Sequence, residues 1–108
     1  MVNQNLDIIQ GTTKAITLSL PSDYEFTTGD HVYLSIKENF NDTSYTIQKD
    51  ITPTTGDTTV DLSLTPTETA NLIENKNYLY DIQWNRTSGD KHNLVSGLVK
   101  VRLRVTEE

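Results

Sequence analysis

The segment Tyr78-Leu79-Tyr80-Asp81-Ile82-Gln83-Trp84-Asn85 decides the class of fold. Tyr78, Tyr80, Ile82 and Trp84 alternate with Leu79, Asp81, Gln83 and Asn85, and a period of two places the first set on one face of a β-strand. The same alternation recurs on both sides of the segment. Ile16, Leu18 and Leu20 alternate with Ala15, Thr17 and Ser19. Val32, Leu34 and Ile36 alternate with Tyr33, Ser35 and Lys37. Val60, Leu62 and Leu64 alternate with Asp61 and Ser63. Val99, Val101, Leu103 and Val105 alternate with Lys100, Arg102 and Arg104. Five such runs form a core, and weaker strands are expected at Leu6 to Gln10 and Tyr45 to Ile51.

Turn chemistry separates the runs. Gly29-Asp30, Gly56-Asp57 and Gly89-Asp90 stand just before strands, where glycine supplies positive φ and aspartate bonds the nearby backbone. Thr87-Ser88-Gly89-Asp90 predicts a hairpin between the last two strands. Thr65-Pro66-Thr67-Glu68 reads as a capping box with proline at the first helical position. It predicts one short helical turn that crosses from one sheet to the other before Tyr78. No internal repeat, linker or low-complexity stretch interrupts the 108 residues, which form one domain, 1–108.

Composition narrows the function. Hydrophobic residues are only 34% of the chain, so the core is thin and one face of each strand is wet. A net charge of -6 disfavours a nucleic-acid or anionic-membrane surface. Cysteine is absent, which removes disulfides, thiolate catalysis and cysteine-bound zinc. No run approaches the ~18 apolar residues of a membrane helix. Met1-Val2-Asn3-Gln4-Asn5 lacks the basic start and apolar run of a signal peptide. The glycosylation patterns Asn41-Asp42-Thr43 and Asn85-Arg86-Thr87 are read as chance matches in that setting.

Catalytic and metal-binding patterns are not found. His31 and His92 read as exposed residues at strand starts, beside the turn aspartates Asp30 and Asp90. The serines have no nucleophile elbow or adjacent base. Asp23, Glu25, Asp57 and Asp61 read as solvated turn carboxylates. Glu38-Asn39-Phe40-Asn41-Asp42-Thr43 offers several oxygens but lacks the glycine and terminal glutamate of a calcium loop. No enzyme, cofactor or metal is expected.

Two surfaces remain. Aromatics gather in the first half at Tyr24, Phe26, Tyr33, Phe40 and Tyr45, and Tyr33 points away from the predicted core face. Exposed aromatics suit binding surfaces, so Tyr33 and Tyr45 with nearby loop residues form a candidate saccharide platform. Lys100, Arg102 and Arg104 line one face of the last strand. They either pair with carboxylates on the neighbouring strand or form a subunit contact.

The order of elements carries a resemblance. Its parts are Thr28-Gly29-Asp30-His31-Val32-Tyr33-Leu34-Ser35-Ile36-Lys37, Leu64-Thr65-Pro66-Thr67-Glu68-Thr69, Tyr80-Asp81-Ile82-Gln83 and Ser96-Gly97-Leu98-Val99. The chain resembles the small immunoglobulin-like β-sandwich proteins encoded among phage structural genes. It is similar to the N-terminal domain of upper baseplate proteins from phages of Gram-positive hosts. The resemblance implies an all-β, immunoglobulin-like antiparallel β-sandwich of about seven strands with one short helical turn. It also implies an accessory structural protein of the virion, in baseplate, tail or head, made in the bacterial host cytoplasm. Its expected partners are other phage structural proteins and further copies of itself, with no catalytic residues. A host-surface carbohydrate-binding module is the alternative.

Overall fold

Alternating sequence becomes alternating burial. The computed structural model describes residues 2–21, 23–39, 41–73 and 76–102. In chain order its strands are β1 (Val2–Asn3), β2 (Leu6–Ile9), β3 (Lys14–Ser19), β4 (His31–Lys37), β5 (Ile47–Ile51), β6 (Thr59–Leu64), β7 (Asn77–Asn85) and β8 (Lys91–Arg102). One helix, α1 (Pro66–Ala70), lies between β6 and β7. Val32, Leu34 and Ile36 of β4, Val60, Leu62 and Leu64 of β6, and Tyr78, Tyr80, Ile82 and Trp84 of β7 are all buried. Each fully buried large apolar side chain contributes about 1.5–3 kcal/mol. Leu103, Arg104 and Val105 of the last predicted run lie outside the described residues, as does Phe40.

The strands form two unequal layers. The large sheet runs β1-β8-β7-β4-β5, with β2 also on β8, whereas the small sheet holds only β3 and β6. Val2 faces Val95 and Leu6 faces Val99, a constant offset along β8. β1 and β2 are therefore two stretches of one interrupted strand, and counting them together gives the seven strands expected. That N-terminal strand runs parallel to β8, while every other pairing is antiparallel. As the sequence predicts, α1 carries the chain from the small sheet to the large one.

The interruption has a visible cause. At Gln4 the backbone dips toward the core, and its carbonyl accepts a hydrogen bond from the Tyr80 hydroxyl. The Gln4 N–H still donates to the Ser96 carbonyl at 2.9 Å. Asn5 Oδ1 accepts from the Leu98 N–H at 3.2 Å. Gly97, directly opposite Tyr80, lies beneath this dip. A Cβ there would overlap the Gln4 carbonyl, so the close backbone approach requires glycine.

The capping box forms as predicted. Thr65 Oγ1 accepts from the Glu68 N–H at 3.2 Å, and Glu68 Oε1 accepts from the Thr65 N–H at 2.9 Å. Lys49 of β5 donates to the same Glu68 oxygen at 2.9 Å, which ties the helix to the edge of the large sheet. The Thr65 N–H and the Lys49 ammonium together hold the Glu68 carboxyl below its usual range. Just beyond, the Tyr78 hydroxyl accepts from the Ile73 N–H at 2.8 Å. A tyrosine at the start of this strand, bonded back to the chain a few residues upstream, is the tyrosine corner of immunoglobulin-like sandwiches.

At the opposite end Asp30 is wholly buried. Its carboxylate accepts from the Thr27 N–H and hydroxyl, both at 2.9 Å, and from the Trp84 indole N–H at 3.0 Å. It also accepts from the Thr87 N–H at 2.9 Å and the Thr87 hydroxyl at 3.0 Å. Burial alone would push this carboxyl up. The hydrogen bonds outweigh it and hold Asp30 well below the usual carboxylate range.

Two outcomes test this account. Gly97→Ala should cost about 1–3 kcal/mol in urea unfolding, the range for forced overpacking, and should release amide protection along residues 2–9 first. Asp30→Ala should cost roughly 3 kcal/mol, because several buried donors lose their acceptor at about 1–3 kcal/mol each. Because the folded state holds the Asp30 carboxyl below the usual carboxylate range, its stabilisation is complete above the unfolded carboxylate range and declines as pH falls through about 4. Asp30→Asn should flatten that acid slope in thermal melts.

Candidate interaction surface

Strand register fixes a grid on the solvent face of the large sheet. Gln48 lies opposite Ser35, Ser35 opposite Asp81, and Asp81 opposite Ser96. The next row runs from Asp50 through Tyr33 to Gln83 and Asn93. On the other side, Lys37 faces Leu79 and Leu79 faces Leu98. Sheet twist curves this grid into a shallow trough with Tyr33 and Tyr45 on its rim and Asp81 in its lining.

Both predicted aromatics therefore meet on one surface. The Tyr33 ring stacks on His31, with centroids 5.9 Å apart and planes at 22°. His31 Nδ1 lies 2.8 Å from an Asp50 carboxylate oxygen, so the neighbouring strand holds the stack in place. Tyr45 is 47% exposed, and the Lys37 ammonium sits 4.8 Å from its ring centroid. Lys37 is itself anchored on the Asp42 carbonyl at 3.0 Å. The result is two amphipathic rings amid hydroxyl and amide side chains, a composition suited to recognition.

Asp81 sets the electrostatics of the trough. Partial burial pushes the Asp81 carboxyl up, above the ordinary carboxylate range, and Lys37 only partly opposes this. The carboxylate is thus held where its charge is disfavoured. Perturbed groups in concave surfaces mark functional sites more often than chance allows.

The basic ridge occupies a separate hollow on the same face. Lys100 stands opposite Asp7, and Arg102 reaches an Asp7 oxygen at 3.7 Å. This is the pairing with the neighbouring strand that the sequence suggests, and both partners are well exposed. Leu98, 42% exposed, borders both hollows. Arg104 lies outside the described residues.

Several readings need correction. Phe26 is fully buried against Trp84, centroid to centroid 5.4 Å, and takes no part in any surface platform. Tyr24 meets Trp84 edge-on at 5.8 Å and remains partly exposed. His92 faces inward opposite Trp84, ring centroids 5.3 Å apart, because a register shift between Ile82 and Gln83 resets the strand. Asp30 is a buried hydrogen-bond hub rather than a simple turn aspartate. In the loop read for calcium, Asp42 Oδ2 is engaged by the Asn39 N–H at 3.0 Å. Among the described residues no three His, Cys, Asp or Glu side chains gather as a metal site, and no helix is long and apolar enough to cross a membrane.

Comparison with known proteins bears on the fold. No family model and no curated protein matches the chain. Among solved structures, the immunoglobulin-like domain of mouse leukocyte-associated immunoglobulin-like receptor 1, crystallised as a strand-swapped dimer, is 16% identical. That match covers 90% of this chain and 86% of the other, with a TM-score of 0.50. The extracellular domain of the voltage-gated sodium channel beta4 subunit is 12% identical over 95% of this chain and 93% of its own, with a TM-score of 0.49. The first likeness shows an immunoglobulin-like β-sandwich.

Because the folded state disfavours charge on Asp81, its penalty is full at neutral pH and vanishes below the unfolded carboxylate range. Asp81→Asn should therefore raise the melting midpoint at pH 7, with the gain disappearing below about pH 4. An unchanged or lowered midpoint at pH 7 would contradict the strained carboxylate.

Proposed function

We propose that the chain is a non-enzymatic assembly domain, an accessory structural protein of a phage particle that docks onto other virion subunits. The observation that carries the assembly reading is the trough: Tyr33, stacked on His31, and the exposed Tyr45 line one concave surface on the large sheet together with Asp81. Burial of aromatic rings at the centre of a protein interface supplies most of its affinity. The phage assignment rests on the resemblance through Leu64-Thr65-Pro66-Thr67-Glu68-Thr69, Tyr80-Asp81-Ile82-Gln83 and Ser96-Gly97-Leu98-Val99. A baseplate, tail or head position fits that resemblance equally.

A second reading shares the same residues. A trough with two tyrosines, Gln48, Gln83 and Asn93 also matches a saccharide, whose ring stacks on an aromatic face while amides bind its hydroxyls. The two readings separate in one experiment. Purified chain is added to particles assembled without it and, in parallel, to a glycan array. The assembly reading expects saturable binding to particles, weakened at least about tenfold by a Tyr33→Ala/Tyr45→Ala double variant of unchanged circular dichroism, as for loss of interface hot spots. Glycan binding that the same variant abolishes, without binding to particles, would replace it with the saccharide reading.

A further inference from the structure

The small sheet has an open edge with unusual chemistry. β3 pairs only with β6, and among the described residues no main-chain group reaches its other side. The Leu20 N–H donates to the Thr58 carbonyl at 2.8 Å, one pair beyond Ser19 opposite Thr59. Backbone direction repeats every second residue in an antiparallel ladder. Leu18, Ile16 and Lys14 therefore also bond β6, whereas Ala15, Thr17 and Ser19 turn their N–H and C=O groups outward. All three are exposed.

Native proteins guard such edges with charge, proline or bulges. The other rims of the two sheets follow that practice. β5 carries Lys49 and Asp50, β2 carries Asp7, and β6 carries Asp61. β3 carries only Lys14, at its first position. From Ala15 to Leu20 the edge is uncharged, with no proline or glycine. Its inward residues Ile16 and Leu18 pack on the core yet stay only partly buried.

From this we infer that β3 is a self-association strand, pairing antiparallel with β3 of a second copy about a two-fold axis at Thr17. The occupant is a second copy because the edge is complementary to itself. With Thr17 opposite Thr17 of the second copy, Ala15 meets Ser19 and Ile16 meets Leu18. Lys14 falls opposite Leu20, so no like charges are brought face to face. Each outward residue finds the donor and acceptor it lacks, and Ile16 and Leu18 gain cover. Leu6 and Ile8 on the rim strand β2 of the large sheet are buried in the same core cluster that Ile16 and Leu18 pack against. The pairing fuses the two small sheets into one four-stranded layer and uses neither Tyr33 nor Tyr45.

A single strand pair is a small interface, so the dimer is a concentration-dependent one. Light scattering from roughly 10 µM to 1 mM should show a monomer passing to a dimer. Thr17→Lys sets two ammonium groups together at the axis and should raise the dissociation constant at least about tenfold, with thermal melts confirming the fold. Tyr33→Ala should leave the dimer intact, which separates failure here from failure of the trough as a docking site. The chain lacks cysteine, so Thr17→Cys introduces the only thiol. On oxidation it should crosslink much faster than Ala15→Cys, whose thiols the axis keeps apart. A strict monomer at every concentration overturns the inference. So does a dimer indifferent to Thr17→Lys, or equal crosslinking at positions 15 and 17.

Discussion

A buried carboxylate closes one end of this sandwich. Asp30 leaves water entirely, an expensive step unless the charge is well bonded. Its partners come from three separated places: the Thr27 turn, the Trp84 ring in the middle of the core, and Thr87 at the hairpin between β7 and β8. The network ties the Gly29 turn to the hairpin and orients the largest core side chain. Thr87 Oγ1 also lies 2.6 Å from the Thr28 carbonyl, so its single hydrogen is shared between that oxygen and Asp30. At the far end the Tyr78 corner and the Gln4–Tyr80 contact do similar work. In antibody domains the residue two after the corner tyrosine is a cysteine of the inter-sheet disulfide. Here that position is Tyr80, whose hydroxyl instead reaches the Gln4 carbonyl within the large sheet and ties the N-terminal strand to β7.

The two layers are unequal, and the inequality determines what remains available. Two strands cannot cover a sheet that runs from β1 and β2 to β5 by themselves. Phe26, Leu72 and Leu20, from the connections, complete the cover from the edges of the small sheet. The cost falls on β3, where Ile16 and Leu18 alternate as the sequence predicts but remain half-buried. On the other side, among the described residues, no strand or helix covers the solvent face of the large sheet, and its alternate residues are free to carry Tyr33, Asp81 and Gln83.

Periodicity made most of this legible. Alternation placed β4, β6 and β7 and told which way each residue faces, including the outward Tyr33. The capping box placed α1 because all its determinants lie within four residues. What sequence could not supply were relations across distance. Phe26 has no alternating neighbours to announce that it is core. Asp30 looks like any aspartate after a turn glycine, since its decisive partner, Trp84, is 54 residues away. His92 was misread because a register shift at Ile82 and Gln83 changes which β8 residues face inward, and nothing local marks that shift. The convergence of Tyr33 with Tyr45 depended on strand order, which alternation does not determine. The same limit hid the charge contrast among the sheet edges, because an edge exists only once neighbours are assigned.

The two open surfaces use different physics. An unprotected backbone edge is indifferent to most side chains and recognises anything extended that can lie beside it, so its specificity comes mainly from what it excludes. The negative charge of the chain, -6 in all, weakens encounters between copies and favours them only where neutral strands meet. β3 is such a place and the other rims are not. The trough instead presents side chains, with Tyr33 stacked on His31 and a carboxyl, Asp81, that partial burial pushes up from its ordinary range. Because these surfaces lie on opposite layers, occupation of one leaves the other open. A domain so arranged can join a copy of itself through its small sheet while holding an unlike partner on its large one, which is the minimum required of a component that links subunits in an assembly.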